Sequence, residues 1–139
     1  KQNDKIDFDF HNAHEINNLR DGSSEEQIKK KLRERLKNTK VLVILIGEKT
    51  RNLFKYVRWE IEWAIENDIP IIAVNLNKKK SMDDKLCPPL LKDKLALHIA
   101  FGQKILDYSL YNWPSQHVIK KKNGKSGAFY YSDKVYDKL

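Results

Sequence analysis

The run VLVILI, Val41–Ile46, decides the fold. It is continuous, apolar and rich in β-branched residues, the pattern of a strand buried on both faces, and such strands belong to parallel sheets. Gly47 ends it and Glu48–Leu53 reads as a loop. A helix is expected over Phe54–Asn67 (FKYVRWEIEWAIEN). Pro70 then opens a second apolar run, Ile71–Leu76, at a position where a strand tolerates proline. On the other side, Ser23 and Glu26 have capping-box spacing. Ile28, Leu32 and Leu36 follow at every fourth residue, so Ser24–Lys37 reads as a helix with one apolar stripe.

Further out the signals weaken. Ile6–Phe10 (IDFDF) alternates apolar and acidic residues, the period of a strand with one wet face. His11–Gly22 reads as a long polar loop. Asn77–Pro89 is a charged loop, Leu95–Phe101 a weaker strand, and Gln103–Tyr111 a short helix that Trp113-Pro114 is expected to end. Gly124 and Gly127 bracket a turn, and Phe129–Leu139 reads as a strand or an ordered tail. No internal repeat and no low-complexity linker divide the chain, so one domain over 1–139 is expected.

Strands alternating with helices across short connections imply βαβ units. The expected architecture is α/β: a three-layer, flavodoxin-like parallel sheet whose ligands bind at the strand carboxyl ends. Those ends lead into His11–Gly22, Gly47–Leu53 and Asn77–Pro89. A sheet of this class has its first strand in the middle. This chain opens on what reads as the second, so the first, central strand is expected to be missing from the sequence.

Composition bounds the function. The chain has 139 residues, 40% apolar and 33% charged, with a formal net charge of +8. The lysines gather in Lys29–Lys31, Lys78–Lys80 and Lys120–Lys122 without interleaved aromatics, so they read as solvated faces rather than a nucleic-acid platform. No apolar run approaches the roughly 20 residues of a membrane span, and no membrane partner is expected. One cysteine, Cys87, permits no internal disulfide, and a reducing, cytoplasmic setting is the expectation. Cys87 itself reads as a buried structural thiol.

The helix after the first buried run holds the principal candidate. With about 100° per residue, Val57, Ile61 and Ala64 form the buried stripe and Glu60 lies about 60° to one side of it. Tyr56 and Trp63 neighbour Glu60 at i−4 and i+3, and Glu62 and Glu66 fall on the wet face. A carboxylate at an apolar border is paired or functional. Arg51, Lys55 and Arg58 are the available ion-pair partners. His11 and His14 lack a third ligand for a metal, and none is expected. His98 reads as a satisfied, hydrogen-bonded structural histidine and His117 as isolated. No glycine-rich phosphate motif is present.

The segments DGSSEEQIKKKLRERL, TKVLVILIGEKTRNL and KYVRWEIEWAIENDIPIIAVNLN, with the later CPPLL, ALHIAF and YNWP, resemble the TIR-like family related to the TIR subunit of the Thoeris antiphage defence system. Enzymatic TIR domains carry a catalytic glutamate on the helix after the third strand, with an aromatic four residues earlier. Glu60 and Tyr56 match those positions. The resemblance implies a catalytic Glu60 and cleavage of the nicotinamide–ribose bond of NAD, used as substrate rather than cofactor. It also implies Tyr56, Trp63, His11, Thr50 and Arg51 as substrate-binding residues, self-association, and an effector protein reached through a nucleotide signal. The alternative it leaves open is a non-catalytic interaction module. Asn52-Leu53-Phe54 stands where many TIR enzymes have serines.

Overall fold

The computed structural model describes residues 25–139. Four parallel strands form one sheet in the order β1-β2-β3-β4: β1 Leu42–Ile46, β2 Ile71–Asn75, β3 Ala96–Ala100 and β4 Ala128–Tyr130. Leu42 is in register with Ile71 and Ile46 with Asn75, so the two apolar runs pair in parallel as expected. The strand expected at Ile6–Phe10, and with it the slot between that strand and β1, lies outside the described residues.

Alternation along the strands builds two cores. Leu42, Ile44, Ile46, Ile71, Ala73 and Ala96 face one side. They are covered there by α1 (Glu25–Leu36), through Ile28, Leu32 and Leu36, and by α2 (Phe54–Glu66), through Val57, Ile61 and Ala64. Val41, Val43, Ile72, Val74, Leu97 and Ile99 face the other side, against Ile105, Leu110 and Trp113 of α3 (Gln103–Lys122). The result is a three-layer α/β domain, the architecture that lets strands buried on both faces exist.

Two expectations need correction. The helix expected to stop near Tyr111 runs to Lys122, with Pro114 inside it. Proline in a helix interior removes one hydrogen bond at a cost of about 3 kcal/mol or more. Here Ile105, Leu110, Trp113 and His117 are buried on both sides of it, and Trp113 is 1% exposed. Apolar burial of Ile105, Leu110 and Trp113, at about 25 cal/mol per Å², offsets that cost. The chain end is both a strand and a helix: β4 is followed by α4 (Asp133–Lys138). The Tyr136 hydroxyl of α4 accepts from the Ala100 N–H at the end of β3, at 3.0 Å.

Candidate functional site

The turn after β1 is built by one side chain. Thr50 lies in a 3-10 turn, Glu48–Leu53, and is 8% exposed. Its hydroxyl donates to Leu45 O at 2.9 Å and accepts from Gly47 N–H at 3.0 Å. That staple satisfies two backbone groups at the end of a buried strand, which would otherwise cost about 1–3 kcal/mol each. Arg51 follows in the same turn, which runs directly into α2. The chain therefore delivers α2 to the carboxyl end of β1 in a fixed direction.

On α2, Glu60 is 4% exposed and sits with Tyr56 (8%), Val57 and Ile61 on the buried side of the helix. The sequence-based border position is thus a position inside the core. Lys55 pairs with Glu25 of α1, and Arg58 with Glu62 at 3.2 Å. Tyr56 meets Trp59 edge-to-face at 5.4 Å, and Lys29 of α1 stands 5.1 Å above the Trp59 ring.

Trp63 also faces the helix–helix groove. With Trp59, Glu62 and Glu66 it lines a groove of about 260 Å³ against Lys29, Leu32, Arg33 and Leu36 of α1. Tyr56 lies in the core, and Trp63, partly buried against that same core, also faces this groove. Both lie on the flank of α2 turned toward α1, and Glu60 lies between them on the helix surface. His11 lies outside the described residues.

A cavity of about 340 Å³ opens where Thr50 meets the loop between β2 and β3, including Cys87 and Pro88. Cys87 is buried, as expected, and burial pushes its thiol up to about 11. At neutral pH it is a protonated thiol and not a nucleophile. Among the described residues no group of three or more His, Cys, Asp or Glu converges on a common point, and no helix is long and apolar enough to cross a membrane.

Two histidines differ from expectation. His98, in the middle of β3, is fully buried, and neither ring nitrogen has a hydrogen-bond partner among the described residues. Burial lowers its pKa to about 4, so the ring is neutral. His117 is not isolated: its Nε2 lies 3.0 Å from Asp68 Oδ1. Its partner is 49 residues away, beyond the reach of any local sequence pattern.

A parallel sheet with helices on both faces, whose buried candidate carboxylate rides on the helix following β1, defines a flavodoxin-like domain of the TIR-like class. The family model described as Thoeris protein ThsB, TIR-like domain, matches residues 1–81. The match spans more than half of the 139 residues, and the chain belongs to that family. No curated protein matches it.

Proposed function

We propose that this domain cleaves the nicotinamide–ribose bond of NAD and makes a nucleotide signal in antiphage defence, with Glu60 as the catalytic carboxylate. The observation that supports the reading is a glutamate held at 4% exposure, on the helix that leaves the carboxyl end of β1. In the reaction the C1′–N1 bond breaks and its electron pair leaves with nicotinamide, quenching the pyridinium charge. The ribose acquires oxocarbenium character, and water or a ribose hydroxyl adds at C1′. A carboxylate can stabilise that charge and hold the ribose hydroxyls, as glycosidase carboxylates do. Tyr56 and Trp63 are the aromatic candidates for contact with the nicotinamide. Thr50, Arg51 and His11 are candidates for the remainder of the nucleotide. In this reading the chain acts in the cytoplasm, self-associates to complete its pocket, and reaches an effector protein through its product.

A second reading, a non-catalytic interaction module, is favoured by the same burial. A carboxylate this enclosed needs the helix or its surroundings to move before substrate reaches it. The experiment is incubation of the chain with NAD, dilute and at concentrations that drive self-association, with nicotinamide release as the readout. Release that requires association supports the enzyme. Absence of release under every association state supports the module.

A further inference from the structure

The outer face of α3 carries an apolar stripe. Tyr111 is 79% exposed, Val118 58% and Ile119 59%. At about 100° per residue, Asp107, Tyr111, Ser115, Val118 and Lys122 fall within about 80° of one another on the helix, and Ile119 lies about 40° further round. All six are exposed. They stand opposite Ser109, Trp113 and His117, the buried side of the helix. A single exposed apolar side chain needs no account, whereas a row of three at helical spacing marks an interaction surface.

The order of residues along the stripe identifies the partner. It runs from acidic Asp107 through Tyr111 to small Ser115, then through Val118 and Ile119 to basic Lys122. At 1.5 Å per residue, Asp107 stands about 12 Å before Ser115 and Lys122 about 10 Å after it. A two-fold axis through Ser115 therefore exchanges the acidic end for the basic end and the aromatic for the aliphatic pair. The Asp107 carboxylate takes hydrogen bonds at 3.1 Å from Gln103 Nε2, a neutral amide that leaves its charge uncompensated. Neither Asp107 nor Lys122 has an ion-pair partner among the described residues.

We propose that the outer face of α3 docks a second copy of this chain, helix against antiparallel helix, crossing at Ser115. Tyr111 of each copy packs on Val118 and Ile119 of the other, and Asp107 of each pairs with Lys122 of the other. The contact is isologous, as a two-fold interface requires. Parallel pairing would set Asp107 against Asp107 and Lys122 against Lys122, and like charges select against it. The small side chain at the crossing lets the two helices approach. Because α3 covers the sheet face opposite α2, the pair leaves both Glu60-bearing helices on its outside. It is thus a different contact from one that would complete the Glu60 pocket, and it does not rest on NAD cleavage. One helix face per copy gives an interface below about 1,200 Å² in total, the transient class, so pairing is expected at about 100 μM and above.

The experiment is sedimentation velocity of the whole chain across that concentration range at low salt. A reversible monomer–dimer equilibrium is expected, and Val118→Lys should abolish it. Asp107→Lys and Lys122→Asp should each weaken pairing about tenfold, and the two together in one chain should restore it. Lys30→Asp, an equal change of charge on α1, should leave pairing unchanged. Ser115→Cys should cross-link to its counterpart with a short bismaleimide, since Cys87 is buried. Three results would each overturn the proposal: a monomer at every concentration, a dimer that survives Val118→Lys, or a charge exchange that fails to restore pairing. A monomer is also the outcome if residues 1–24 or another protein cover the stripe. If a charge variant does not fold, the wild-type equilibrium and the Ser115→Cys cross-link decide alone.

Discussion

His117 Nε2 lies 3.0 Å from Asp68 Oδ1, and this contact ties α3 to the turn between α2 and β2. Lys121, one turn further along α3, approaches the same oxygen at 3.5 Å. The His117 hydrogen bond foremost, with the Lys121 charge behind it, holds the Asp68 carboxyl below its ordinary 3.8. A depressed carboxylate pKa adds stability above the unfolded value, and that stability is lost as pH falls through the folded value. Asp68 is well exposed, with 61% of its side chain accessible, so solvent limits the pair to about 0.2–1 kcal/mol. Asp68→Asn should therefore lower stability modestly at pH 7, and the difference from wild type should shrink as pH falls through the folded carboxyl's titration. Urea denaturation at neutral and at strongly acid pH measures it, and an unchanged difference in acid contradicts the assignment.

His98 predicts a larger acid effect in a different window. The imidazole titrates at 6.5 when free and at about 4 in the fold, because burial disfavours the cation. Between those values the unfolded chain binds the proton and the native chain does not, so stability falls as pH drops from 6.5 toward 4. At about 1.4 kcal/mol per pH unit, the full loss is on the order of 3 kcal/mol. The residue faces the core between strands, so His98→Leu should flatten this part of the profile even if it alters stability at pH 7. A slope unchanged in that variant would assign the acid sensitivity elsewhere.

Pro114 marks where local sequence logic ends. Val41–Ile46 and Ile71–Leu76 were legible because burial on both faces writes a continuous apolar run. The stripe Ile28, Leu32, Leu36 was legible because a helix on a sheet repeats at its own pitch. The α3 helix was not, because Trp113 and His117, placed on either side of the proline, acquire their burial only from strands far away in sequence. The same holds for the candidate sites. The pitch of α2 located Glu60 near the core. The groove beside Trp63 depends on α1, and the order in the β2–β3 loop depends on Asn75 and Asp83 choosing backbone partners. The proline itself is testable. Pro114→Ala restores an amide proton to the helix interior and relieves the ring's clash with the preceding turn, so it should stabilise the protein by about 1 kcal/mol or more. A lower melting temperature would mean that Pro114 is needed to seat Trp113.

Glu60 carries the last prediction, because its carboxylate separates the two readings of function. Glu60→Gln and Glu62→Gln are nearly isosteric changes two residues apart on α2. Glu62 pairs with Arg58 across one turn at 3.2 Å, an exposed i,i+4 contact worth about 0.3–0.5 kcal/mol. Its loss should leave both folding and turnover nearly unchanged. Glu60 is enclosed. If it stabilises an oxocarbenium-like transition state, Glu60→Gln should reduce NAD cleavage about 10²-fold or more, equivalent to roughly 3 kcal/mol of barrier, with little change in KM. Stability should then change little. If instead the carboxylate is a structural member of the core, the same substitution should lower stability by about 3–5 kcal/mol, and wild type should release no nicotinamide in any association state. Melting temperature and nicotinamide release, measured on the same two variants, therefore give opposite patterns for the enzyme and for the interaction module.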